Sequence, residues 1–177
     1  MANWESEYAE FVASMSPQLR RTAYLICGDW HRAEDAVQEA LCKLYRAWAK
    51  VDRSGNPAAY ARRVVVNTVL DGRRRLWRRE VPTETLPDRT LSEIGEGGDL
   101  AARQATRAEL DQVLAEVPPR QRACLVLRFY EDLSIDQTAE VLGCSAGTVK
   151  SQTARGLETL RHALDQLRSV DCISQGE

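Results

Sequence analysis

The chain has 177 residues, of which 44% are hydrophobic and 6% aromatic, and a net charge of −2. That length buries one ordinary core or two small ones, and two small helical cores fit the apolar pattern better. With no apolar run near the roughly twenty residues a bilayer span needs, and an acidic start (Met-Ala-Asn-Trp-Glu-Ser-Glu), membrane insertion is not expected and the cytoplasm is.

Trp4, Tyr8, Phe11, Val12 and Met15 share one helical face, and Ser16-Pro17 then offers a cap and a first-turn proline for a second helix, closed by Gly28. A third helix after Asp29 carries Val37, Ala40, Leu41, Leu44 and Trp48 at spacings of three and four, with Glu34, Asp35, Gln38 and Glu39 on its other side. Asn56 caps and Pro57 opens a fourth, running to about Arg79. Its Val64-Val65-Val66 and Val69 suit a strand by propensity, but the cap, the flanking arginines and the lack of a partner strand favour helix. Pro82, Pro87, Gly95, Gly97 and Gly98 among scattered acids give residues 80–104 the composition of a flexible linker. Leu110, Val113, Leu114 and Val117 then mark a helix ended by Pro118-Pro119, and Ala123, Val126, Leu127 and Tyr130 mark the next.

The clearest signal follows. Ser134 and Gln137 form a capping box, Gly143 can adopt the left-handed conformation that ends a short helix, and Ser145 caps another. In that second helix Thr148, Lys150, Ser151, Gln152 and Arg155 stay polar while Val149 can turn inward with Ala139 and Leu142. This is a helix-turn-helix, and a polar first turn is what a helix needs to meet base edges and phosphates in the major groove. Gly156, by contrast, is expected to cost about 1 kcal/mol of helix propensity.

Charge is unevenly distributed. Residues 1–79 carry 14 basic and 9 acidic side chains (+5), residues 80–118 carry 3 and 9 (−6), and residues 119–177 carry 7 and 8 (−1). Seven arginines, Arg62, Arg63, Arg73, Arg74, Arg75, Arg78 and Arg79, crowd the fourth helix, a patch that attracts phosphate by counterion release or else is a solvated face. Five cysteines, at 27, 42, 124, 144 and 172, form no Cys-x-x-Cys pair and read as reduced thiols, three of them at positions that look buried. Two histidines, no Gly-rich phosphate loop and no ligand-spaced cluster argue against an enzyme, a metal or another cofactor.

Three segments, in order, resemble the extracytoplasmic-function (group IV) sigma factors of the sigma-70 family, in particular the SigE-like members of actinobacteria. They are residues 34–48, residues 57–75, and residues 118–134 leading into the helix-turn-helix. The resemblance implies an all-α fold in which a region 2 bundle (1–79) and a region 4 bundle (105–170) flank the acidic linker, with a tail at 171–177. It further implies promoter-specific transcription initiation in company with core RNA polymerase and promoter DNA, often under an anti-sigma factor. Asp35, Gln38, Glu39 and Leu44 would contact the polymerase clamp. Asn67 with Arg62, Arg63 and Arg74 would hold the −10 element, the loop from Val51 to Asn56 would receive an extruded base, and Tyr60 and Trp77 either stack on bases or pack in the core. Thr148, Lys150, Ser151, Gln152 and Arg155 would face the −35 groove. The linker either threads nucleic-acid channels or simply solubilises. An autonomous dimeric helix-turn-helix regulator is the rival reading, but it needs a dimerising or sensing domain that the N-terminal half does not suggest.

Overall fold

A computed structural model describes residues 3–53, 56–78 and 100–174, with no strand among them. Seven helices follow in order: α1 (Asn3–Cys27), α2 (Trp30–Arg53), α3 (Pro57–Arg78), α4 (Leu100–Glu116), α5 (Pro119–Leu125), α6 (Ile135–Leu142) and α7 (Ala146–Ser174). A π-helical turn, Val126–Tyr130, extends α5.

The first three helices form a bundle. The expected break at Ser16-Pro17 is absent: α1 is continuous with Pro17 inside it. Trp4, Tyr8, Phe11, Met15, Leu19, Ala23 and Ile26 make one uninterrupted stripe against the core, while Pro17 sits on the exposed side, where a lost backbone hydrogen bond costs least. The Ser16 hydroxyl donates back to the Val12 carbonyl at 2.6 Å instead of capping a new helix. Gly28, at φ +73°, turns the chain, and Asp29 caps α2 by accepting from the Arg32 N–H at 3.1 Å. The α2 stripe Val37, Ala40, Leu44 and Trp48 is buried, and Val65, Val66 and Val69 of α3 pack against it. The β-branched run is therefore helical because its side chains are needed on one inward face. Tyr8 stands edge-on to Tyr45 and Trp48, each 5.2 Å away between ring centres, and its hydroxyl donates to the Leu41 carbonyl at 2.8 Å.

In the C-terminal module α5 and α7 pack closely, and Arg122 lies in the interior, only 4% exposed, donating to the carbonyls of Ala115 and Val117 at 3.0 and 3.1 Å. It thereby satisfies orphan acceptors at the C-terminal end of α4. The helix α4 starts at Leu100, inside the stretch read as linker, and α7 continues through the tail to Ser174. Leu110 is 47% exposed, the inward side of α4 being carried by Val113 and Val117. Tyr130 is also exposed, because the extra residue of the π turn rotates its phase away from that of α5. Residues 79–99 and 175–177, and the side chain of Cys172, lie outside the described residues.

The two cores expected from the sequence touch, while Val113, Val117, Leu125 and Val149 stay buried within the C-terminal module. Ala123, Val126 and Leu127 of the α5 segment and Val141 of α6 belong to the same buried cluster as α1–α3. Of the cysteines, Cys124 is buried, and burial, with a smaller contribution from Cys144, pushes its thiol up to about 11. Cys42, by contrast, is exposed, because it falls on the side of α2 away from the Val37-Ala40-Leu44 stripe.

Gly156 has a structural reason. A β-carbon there would lie 3.1 Å from Leu125 Cδ1 and 3.3 Å from Gln121 Cβ, so glycine permits the close approach of α7 to α5. The helix-propensity cost is offset by that packing. Gly156→Val is therefore expected to destabilise the fold by roughly 2–3 kcal/mol, as overpacked sites do. Gly147→Ala, whose β-carbon meets only Ser145 Oγ at 3.8 Å, should gain about 0.5–1 kcal/mol. Thermal denaturation of the two variants checks both signs.

Candidate nucleic-acid interface

The helix-turn-helix is built as its residues dictate. Ser134 Oγ accepts from the Gln137 N–H at 3.1 Å, and Gln137 Oε1 accepts from the Ser134 N–H at 2.8 Å, completing the capping box of α6. Gly143 takes the left-handed conformation at φ +61°, and the Cys144 N–H returns to the Ala139 carbonyl at 3.0 Å. Ser145 Oγ accepts from the Thr148 N–H at 3.1 Å and so starts α7. Val149 is wholly buried and Ala139 nearly so, which anchors the corner. Thr148, Lys150, Ser151 and Arg155 are consequently exposed on the first three turns of α7, with Gln152 half-buried beside them. Positions 148 and 155, two turns apart, fall on one face. Five polar side chains thus line a helix start able to enter a major groove, two of them cationic.

On α3 the picture differs. Asn56 is exposed, and its side chain caps the helix by accepting from the Ala59 N–H at 2.9 Å. Arg63 is exposed and Tyr60 is half-buried, packed against the core. Arg62 and Asn67 face the C-terminal module. Arg62 Nε donates to Glu131 Oε2 at 3.0 Å, and Asn67 Nδ2 to the Val141 carbonyl at 3.4 Å. The loop read from Val51 to Asn56 is shorter than expected, since α2 runs through Arg53. Ser54, Gly55 and the side chains of Arg73, Arg74, Arg75, Trp77 and Arg78 lie outside the described residues, as does Arg79.

The exposed face of α2 carries Asp35, Gln38 and Glu39, with Glu39 bridged to Lys43 at 2.6 Å. Leu44 does not belong with them. It is 0% exposed in the bundle core, since the apolar stripe of α2 is consumed by α1 and α3, and so it offers a partner no surface here.

Glu131 was not singled out from the sequence. Its side chain is 1% exposed and accepts from Arg62, from Gln18 Nε2 at 2.8 Å and from the Thr22 hydroxyl. The Glu131 N–H bonds the Val126 carbonyl at 3.0 Å, and Asp132 follows at φ +51°. These features of the π turn aim the carboxylate at α1 and α3, and no hydrophobic period signals them. Among the described residues no group of His, Cys, Asp and Glu could hold a metal, and no helix is long and apolar enough to cross a membrane.

Comparison with known proteins gives consistent matches. The family described as Sigma-70 region 2 matches residues 11–79, and Sigma-70 region 4 matches residues 107–160. The RNA polymerase sigma-E factor of Streptomyces coelicolor is 38% identical over 158 residues, 89% of this chain and 86% of that one. The ECF RNA polymerase sigma factor SigE of Mycolicibacterium smegmatis is 31% identical over 167 residues, 93% of this chain and 62% of that one. In fold the chain resembles the sigma factor RpoE of Bartonella quintana, solved with the anti-sigma factor NepR, at a TM-score of 0.72 and 21% identity, covering 90% of this chain and 97% of that one.

Proposed function

The chain belongs to the sigma-70 family, in its extracytoplasmic-function branch, and is a sigma factor for transcription initiation; we propose that its two modules divide the promoter between them while mounted on core RNA polymerase. The observation that carries this reading is the exposed polar start of α7, held by the Ser134 capping box and the Gly143 turn, downstream of an arginine-rich helix. Thr148, Lys150, Ser151, Gln152 and Arg155 read the −35 element. Asn67, Arg62, Arg63 and Arg74 hold the −10 element, with Asn56 and Tyr60 beside the extruded base. Flipping a base costs a few kcal/mol, which pocket and phosphate contacts offset without a nucleotide-hydrolysing site. Asp35, Gln38 and Glu39 form the acidic and amide face that docks on a basic helical surface of the polymerase. Leu44 supports that face from behind.

The protein acts as a binding subunit in the cytoplasm, and the chemistry of RNA synthesis belongs to the polymerase. The anti-sigma factor NepR bound to the Bartonella quintana sigma factor, whose fold this chain shares, supports regulation by an anti-sigma factor. An autonomous dimeric regulator is not favoured, because matches to both sigma regions account for both halves of the chain.

Run-off transcription with bacterial core polymerase on a library of upstream sequences tests the proposal, and the expected product is a transcript restricted to a defined pair of elements. With net charge near −1 over residues 119–177, the chain alone should give little duplex binding at physiological salt, since phosphate neutralisation supplies most affinity. Failure to associate with core enzyme, or tight sequence-specific binding without it, would overturn the reading.

A further inference from the structure

The most unusual group outside the α7 face is Glu131. A carboxylate with 1% exposure is costly unless every lone pair direction finds a donor. Here the donors are Arg62, Gln18 and Thr22, all from α1 and α3, while the carboxylate rides on the π turn of the other module. None of the three comes from its own module, so the site is assembled only when the modules are together. Asn67 is engaged the same way, through the Val141 carbonyl. Tyr24 of α1 adds a further tie, its hydroxyl donating to Asp111 of α4 at 2.8 Å.

This closed arrangement conflicts with the proposed function, on which the present inference rests. Elements named −10 and −35 lie ~25 base pairs apart, about 85 Å of duplex at 3.4 Å per pair. The α3 helix and the helix-turn-helix that carries the α7 face, joined where Asn67 meets the Val141 carbonyl at 3.4 Å, cannot serve both while packed together. Arg62, 15% exposed and with its Nε committed to Glu131, offers phosphate a partly neutralised and mostly covered guanidinium.

We propose that Glu131 is an autoinhibitory latch: its carboxylate takes the place of promoter phosphate on Arg62 and keeps the two modules closed until the polymerase parts them. A buried ion pair suits this task. Its Coulomb gain is nearly cancelled by desolvation, so it specifies one closed geometry without making opening prohibitive, and the charges are rehydrated or transferred to DNA on release. The latch acts by population. The apparent affinity for core enzyme is reduced by the fraction of open molecules, so loss of the latch raises it without any new contact.

The test uses the full chain in three forms: wild type, Glu131→Gln, and the double substitution Gln18→Ala with Thr22→Val. The last leaves the helix-turn-helix untouched, and circular dichroism confirms that each folds. Small-angle scattering should find wild type compact and both variants larger, with a radius of gyration up by about a quarter. Titration of core polymerase in run-off assays should show half-maximal transcription at roughly tenfold lower protein for both variants. An extended wild type, variants as compact as wild type, or expansion without a gain in apparent core affinity would each overturn the latch. If no form supports transcription, the functional reading falls instead, and scattering alone still decides whether Glu131 holds the modules closed.

Discussion

Replacing Arg122 with alanine is expected to lower stability by about 3 kcal/mol, because it opens a cavity and strands buried acceptors at once. At 4% exposure the guanidinium reaches the carbonyls of both Ala115 and Val117. Those carbonyls end α4 and have no helical partner, so water would have to enter the interior to satisfy them. For a chain of this size the melting temperature should fall by roughly 6–12 °C. Arg122→Lys should recover only part of the loss, since both carbonyls are reached by the single terminal nitrogen Nη2 at the end of a longer, planar side chain, and a shorter ammonium would be buried with its charge less delocalised. Differential scanning calorimetry of the two variants measures both effects, and a loss below about 1 kcal/mol would mean that α4 ends without this cap.

Arg122 also shows where a sequence stops being legible. As one arginine in Pro118-Pro119-Arg120-Gln121-Arg122 it looks like its neighbour Arg120, which is exposed. Nothing in the periodicity says which turns inward, because that depends on where α4 ends relative to α5. The helix-turn-helix could be read almost completely, since each step from Ser134 to Val149 is a local rule about caps, turns and one buried branched residue. The α3 helix was legible for a similar reason: Asn56-Pro57 outweighed the valines. Pro17 misled because a local rule was applied where a continuous apolar stripe decided the outcome. Gly156 misled in the same direction, its local cost being visible and its packing partner, Leu125, thirty-one positions away. Glu131 was invisible because its meaning lies wholly in side chains from α1 and α3, reached through a π turn that leaves no mark in the hydrophobic pattern. Leu44 was placed on a docking face by resemblance, although the apolar spacing already put it inward.

Removing both cations of the α7 face, Lys150→Ala with Arg155→Ala, is expected to weaken promoter binding by the polymerase-bound protein at every sequence tested. Both residues are exposed at the start of a helix anchored by buried Val149, so truncating them should leave the fold unchanged. Each phosphate contact contributes about 0.9 to the slope of log affinity against log salt, so the slope should become shallower by nearly 2. Binding at physiological salt should fall by roughly one to two orders of magnitude. Gln152→Arg should act in a different way. A glutamine amide pairs best with adenine and a guanidinium with guanine, so this change should move the preference at one −35 position by about 1–3 kcal/mol while leaving the others alone. The two results together separate phosphate anchoring from base reading. If the double variant altered sequence preference, or Gln152→Arg weakened all sequences equally, the exposed face of α7 would be seated in the groove by other residues than these.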